Sequence, residues 1–280
     1  MGRHVLTAVD HLVVRVADLA QAVETYRRLG FTMTHDREAA YAAFGDFYFE
    51  LRGPRDVPSR FWDDMSWSER GDGIYGIVLR STGLDDDVAR LRSSGVGVSD
   101  PAEDPLDGVA GSLPRRSAAV DAPIPLGLVE HHHDTDERLS FLGGPVIHPN
   151  TAIALERVYV AVESIHRELE VFERILGIPA PEPEMGTVIM SLMSVFYIGS
   201  IGMAVAEPRG PGPTADALSS GGPGFFQMLF RAEHLDEAAQ VMVANGVPAP
   251  ARGTRLSGES ALLVEPPQAC GVYVALAGKP

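Results

Sequence analysis

Three ionisable side chains sit inside apolar, strand-like runs. These are His11 in His11-Leu12-Val13-Val14-Arg15-Val16, Glu50 in Tyr48-Phe49-Glu50-Leu51, and Glu130 in LGLVEHHHDT, from Leu126 to Thr135. An imidazole and two carboxylates form a donor set suited to a hard-to-borderline divalent ion, and Tyr48 and Tyr75 could exchange protons beside it. The alternative is structural: His11 satisfied by a backbone carbonyl, and Glu50 and Glu130 ending their strands at solvent. Strand alternation predicts that Leu12, Val14 and Val16 share the helix-facing side, leaving His11, Val13 and Arg15 opposite. It likewise groups Tyr48, Glu50 and Arg52 against Phe49 and Leu51, and Leu128, Glu130 and His132 against Val129 and His131. Neighbouring residues of the triplet His131-His132-His133 then point to opposite sides, so at most two could meet one ion; otherwise the run is surface.

The elements that would position these residues repeat four times: an apolar strand, an amphipathic helix, then a glycine. The copies run from Val9 to Phe31, Gly73 to Val96, Ala154 to Ile178 and Gly224 to Val247. Leu19 to Gly30, Leu84 to Gly95 and Leu235 to Gly246 are equally spaced, and Ile165 to Gly177 is one residue longer. In the first copy Leu19, Ala22, Val23, Tyr26 and Leu29 recur at helical spacing, Asp18 suits an N-cap, and Gly30 suits the stop. Two or three short strand-like runs follow each stop, so each unit reads βαβββ. The fold class is α+β, with four modules in two pairs: residues 1–135, a linker over 136–152, and residues 153–280. Val57 to Met65 reads as a short helix, and Asp104 to Ala122 as a loop over a cleft.

The chain of 280 residues is 45% hydrophobic and 22% charged, a soluble globular composition. No apolar run approaches the roughly 20 residues of a bilayer span. The formal charge of −15 opposes a nucleic-acid partner, whose phosphates would be repelled. A lone Cys270 excludes an internal disulfide, and MGRHVLTAVDHL runs straight into the first strand, so the expectation is a cytoplasmic protein. Asp85-Asp86-Asp87 in a first helical turn offsets the helix dipole. Phosphate-loop, dinucleotide, zinc-protease and nucleophile-elbow motifs are absent from the sequence.

Asp10-His11-Leu12, Gly30 and Tyr48-Phe49-Glu50-Leu51 together resemble the vicinal oxygen chelate superfamily. That superfamily includes glyoxalase I, bleomycin-resistance proteins, fosfomycin-resistance enzymes and extradiol dioxygenases. LGLVEHHHDT followed by His148-Pro149-Asn150 is similar to its tandem glyoxalase-like members. The resemblance implies that paired modules enclose a cup, with a divalent metal taking up to one ligand from the first and last strand of each module. Carried over by helix spacing, those positions are His11 and Glu50, then Gly76 and Glu130, with His132 as a possible fourth ligand. In the second pair the first-strand positions become Arg157 and Gln227, which would anchor an anionic ligand or fill the cup with internal hydrogen bonds. Trp62, beside Phe61 and Trp67, would stack on a planar substrate or pack a connector helix.

The implied activity is metal-dependent, with Fe, Mn, Ni or Zn chelating a small oxygenated metabolite for a lyase, isomerase or dioxygenase reaction. Glu50, Glu130 and Tyr48 would be its catalytic groups. The alternative is a metal-free protein that sequesters a small molecule, as bleomycin-resistance proteins do, and Gly76 at a ligand position favours it. Either reading expects a small-molecule partner, no nucleic acid or membrane, and a monomer or homodimer.

Overall fold

The computed structural model describes residues 6–35, 39–54, 71–108, 111–143, 146–186, 189–255 and 257–279. In the first half, β1 (Ala8–Arg15) leads into α1 (Leu19–Arg28), then β2 (Thr34–His35), β3 (Ala39–Phe44) and β4 (Phe47–Arg52). The module repeats as β5 (Gly73–Arg80), α2 (Leu84–Ser93), β6 (Ala102–Glu103), β7 (Leu106–Gly108), β8 (Gly111–Leu113), β9 (Arg115–Val120) and β10 (Leu126–His131). A short α3 (Thr135–Phe141) follows. The second half comprises β11 (Ala152–Ala161), α4 (Ile165–Leu176), β12 (Glu184–Gly186), β13 (Ser191–Ile198) and β14 (Ile201–Pro208). It continues with α5 (Pro213–Gly221), β15 (Gly224–Ala232), α6 (Leu235–Ala244), β16 (Ala251–Thr254), β17 (Ser260–Val264) and β18 (Tyr273–Gly278).

Each half forms one eight-stranded sheet, ordered β2-β3-β4-β1-β5-β10-β9-β6 and β12-β13-β14-β11-β15-β18-β17-β16. The first strands of the two modules lie at the centre of each sheet and pair antiparallel, while each pairs parallel with its own module's last strand. This is the α+β architecture of paired βαβββ modules that the repeats predict. The segment from Asp104 to Ala122 is not the expected loop: it holds the β7–β8 hairpin and β9, which pairs with β10. Its sequence, RRSAAV in β9, carries little apolar alternation, so the ladder with β10, which buries Arg115, Ser117, Ala118 and Val120, is not announced by the residues themselves.

Leu12, Val14 and Val16 face the main core beneath the helices, whereas Val13 faces the other side with Val78 and Val129. The Asp18 side chain caps α1 by accepting from the Gln21 amide at 2.9 Å. The main core draws residues from both halves, and Phe230 meets Phe31, Phe44 and Phe49 at centroid separations of 5.2, 5.0 and 6.0 Å. Helix ends join crosswise: Arg28 of α1 donates to the carbonyls of Asn245 and Gly246, and Arg90 of α2 donates to those of Arg174 and Ile175. Among the described residues no helix is long and apolar enough to cross a membrane.

His148-Pro149-Asn150 ties this junction together. Asn150 donates to the Leu29 carbonyl at 2.9 Å, and its backbone crowds Gly30, where φ is +84° and any Cβ would lie 2.8 Å from the Asn150 Cβ. His148 accepts from the Thr32 amide at Nδ1 (3.0 Å), so its Nε2–H donates to the Ala43 carbonyl (3.1 Å). Burial holds this neutral ring's pKa down at about 4, against a partial opposing pull from Ala43. The unfolded chain, with a histidine pKa near 6.5, therefore takes up the proton first, and this stabilising contribution is lost as pH falls from about 6.5 toward 4. The difference amounts to roughly 3 kcal/mol. Urea unfolding should show a flatter stability profile for His148→Gln than for the wild type between pH 6.5 and 4.5, alongside a lower plateau at pH 7.5.

Candidate functional site

A β-bulge builds the first cup. The β1–β5 ladder steps from Val9 opposite Leu79 to His11 opposite Val78, leaving Asp10 as the extra residue. Asp10, fully buried, becomes the hub of an ionic network. Its Oδ2 accepts from His11 Nδ1 at 2.8 Å, and its Oδ1 accepts from Arg138 (2.7 Å), His131 Nε2 (2.8 Å) and Arg80 (3.1 Å). Burial alone would raise the Asp10 carboxyl, but the His11 and His131 hydrogen bonds and the Arg138 charge hold it well below the usual range. Burial pushes His131 down to about 4, so that ring is neutral.

Tyr48 stacks on His11, with centroids 4.6 Å apart and planes 12° from parallel. Burial raises its hydroxyl above the ordinary value, helped by the Asp10 charge, so Tyr48 keeps its proton at neutral pH and is unsuited to act as the base. Glu50 lies on the same side of β4, fully buried and bound by the Arg52 guanidinium through Nε at 2.8 Å and through Nη2.

The structure corrects the position of Glu130. Leu126 and Leu128 enter the main core and Val129 lines the cup, so Glu130 points to the helix side. There it stands 3.6 Å from Arg116, which also holds Asp85 of α2 at 2.9 Å. Strand register locates the true equivalents of Glu50. Val13 opposes Glu50, the corresponding Val78 opposes Gly127, Tyr159 opposes Ala204, and Leu229 opposes Ala275. His132 is exposed, and it is His131 that reaches the network. Trp62 lies outside the described residues.

The four positions of the first cup are thus His11, Glu50, Gly76 and Gly127. A side chain at Gly76 has no room, because its Cβ would lie 2.6 Å from the Pro125 carbonyl oxygen. Among the described residues, no group of three or more His, Cys, Asp or Glu side chains is arranged to hold an ion. The donor set present does not fit the superfamily's metal.

The second cup is open, with a cavity of about 410 Å³. Its apolar wall includes Tyr159, Met193, Leu229 and Ala275. Arg157 and Gln227, the first-strand residues, line it together. Gly202 opposite Arg157 leaves space for the guanidinium stem, with any Cβ 3.4 Å from Nε, and the guanidinium carbon sits 5.9 Å from the Tyr159 ring centroid. The Arg157 Nε and the Gln227 side-chain oxygen are buried with no hydrogen-bond partner among the described residues. The other cations of the wall are paired: Arg255 with Glu156 and Glu259, Arg252 with Asp236 at 2.7 Å. An unpaired guanidinium and a buried amide oxygen above an apolar floor can orient an anionic small molecule.

Known structures share this architecture. A triple mutant of 4-hydroxymandelate synthase from Streptomyces coelicolor superposes with a TM-score of 0.67 at 17% identity, covering 99% of this chain and 93% of that one. A xylose isomerase-like TIM barrel/4-hydroxyphenylpyruvate dioxygenase fusion protein gives 0.62 at 15% identity, covering 99% and 49%. A hypothetical protein from Staphylococcus aureus gives 0.67 at 10% identity, covering 97% and 98%. No curated protein matches the chain by sequence. The family model of the glyoxalase-like domain matches residues 9–176, more than half the chain. On that match and the paired βαβββ sheets, the chain belongs to the glyoxalase-like domain family of the vicinal oxygen chelate superfamily.

Proposed function

We propose that this protein is an enzyme of the superfamily whose working site is the C-terminal cup. There Arg157 grips a small carboxylate-bearing metabolite with the positive charge that the superfamily otherwise takes from a metal. The observation that carries this reading is the unpaired, partly buried guanidinium in a 410 Å³ cavity, beside the orphan amide oxygen of Gln227. A cavity of this size suits a small metabolite. The planar fork of arginine matches two adjacent oxygens bidentately and does not lose its proton at working pH, so it can hold a carboxylate, or a carboxylate oxygen beside a vicinal oxo or hydroxyl group. Charge that develops on such an oxygen during reaction is stabilised by the same contact. The Gln227 oxygen accepts from a ligand hydroxyl, and the Tyr159, Met193 and Leu229 side chains cover its carbon frame and exclude water.

The test is ligand-induced stabilisation and turnover, followed by thermal shift and NMR with a panel of 2-oxo and 2-hydroxy acids beside their amides. Acids that stabilise the protein in the presence of EDTA, and change chemically, support the reading. Binding without chemical change would make the protein a sequestering one, the role that the glycines at Gly76 and Gly127 favour. Failure of every acid to bind would remove the C-terminal cup as the site.

A further inference from the structure

The end of β10 carries two imidazole lone pairs that the protein leaves unused. His131 Nε2 lies 2.8 Å from Asp10 Oδ1. A carboxylate only accepts, so the proton sits on Nε2 and Nδ1 carries the lone pair. His133 Nδ1 lies 3.2 Å from the Pro114 carbonyl oxygen, so its proton sits there and Nε2 carries the lone pair. Both lone-pair nitrogens are buried without a hydrogen-bond partner among the described residues, and the His131 side chain is only 6% exposed. The two rings are neighbours, with centroids 4.8 Å apart and planes at 57°.

A buried acceptor left empty is costly, and here two such acceptors belong to neighbouring rings, which one occupant could serve. Each ring already has the outer contact that metal-binding histidines use to fix their tautomer, a carboxylate in one case and a backbone carbonyl in the other. With metal–nitrogen bonds of about 2.0–2.1 Å, two imidazoles on one tetrahedral ion have centroids roughly 5 Å apart, as these do. We propose that His131 Nδ1 and His133 Nε2 together bind a divalent transition-metal ion of the zinc, nickel or copper class, with water completing its coordination. The site differs from the superfamily position at His11 and Glu50 and does not depend on the function proposed for the C-terminal cup. Two neutral nitrogen donors select a borderline ion over Mg²⁺ or Ca²⁺, which prefer oxygen.

The experiment titrates full-length, EDTA-stripped protein without an affinity tag with Zn²⁺ by calorimetry, and with Co²⁺ by visible absorption. One equivalent should bind, and His133→Ala should weaken it by at least about tenfold. His133 makes its hydrogen bond to a single carbonyl, so this variant should keep the fold, checked by circular dichroism. His131→Gln should weaken binding similarly, whereas His132→Ala, at an exposed ring, should not. Zn²⁺ should raise the melting temperature of the wild type and not of His133→Ala. Absence of binding, an unchanged isotherm in His133→Ala, or loss of binding only in His11→Ala or Glu50→Gln would overturn the assignment.

Discussion

Arg157→Gln should weaken binding of a carboxylate ligand by about 10- to 100-fold, the worth of roughly 1.5–3 kcal/mol for a hydrogen bond to a charged group. The same change should leave the unliganded protein no less stable, because it removes a guanidinium nitrogen that is buried without a partner. That combination separates a binding residue from a structural one: a variant of the paired Arg255 should lose stability through Glu156 and Glu259 instead. Arg157→Lys keeps the charge but loses the fork, so its affinity should fall between wild type and glutamine variant. Titration calorimetry with the tightest acid of the panel, beside urea melts of the three proteins, measures both quantities. Equal affinity in wild type and Arg157→Gln would remove the guanidinium from the site.

The second large effect falls in the other half. Asp10→Asn should destabilise the protein by about 3–5 kcal/mol, because it takes the carboxylate charge from the Arg138, Arg80, His11 and His131 contacts. Arg138 is 2% exposed and would keep an uncompensated charge in the interior. A surface pair provides the control: Arg92 and Asp100 meet at 2.8 Å, but with side chains 46% and 90% exposed, and Arg92→Ala should cost less than about 1 kcal/mol. A urea midpoint for Asp10→Asn within error of wild type would show that the network contributes nothing net.

The repeat made the fold readable from sequence, because helix spacing and the glycine stops survive in all four modules. Alternation also identified the two sides of β1 and β4, where Val13 and Tyr48 part company from Leu12 and Phe49. It failed at β10. Leu126, Leu128 and Val129 are apolar on both sides of the strand, so nothing in that run marks which side meets the helices, and Glu130 lies on the helix side, not in the cup. The equivalent of Glu50 is a glycine, Gly127, which offers no chemical signal, and only strand register reveals it. Alternation gives Asp10 the opposite side to His11 and so hides it as a hub; the bulge that turns both into one network is a property of pairing with β5, far along the chain. Arg157 and Gln227 were legible as residues facing the second cup, but their lack of partners is a three-dimensional fact.

The bulge at Asp10 has a twin. In the second half the β11–β15 ladder steps from Leu155 opposite Phe230 to Arg157 opposite Leu229, leaving Glu156 extra, and Glu156 pairs with Arg231 as Asp10 pairs with Arg80. By helix spacing these are the same two places in the repeat. The acid–arginine clasp therefore holds the same strand junction in both halves, independent of what each cup contains. The chemistry that distinguishes the two cups lies where the halves differ: arginine for histidine at position 157 against 11, glutamine for glycine at 227 against 76, and alanine for glutamate at 204 against 50. Exchanging His11 with Arg157 and Glu50 with Ala204 would move charge from one cup to the other, whereas glutamine cannot enter at position 76, where any Cβ would lie 2.6 Å from the Pro125 carbonyl oxygen.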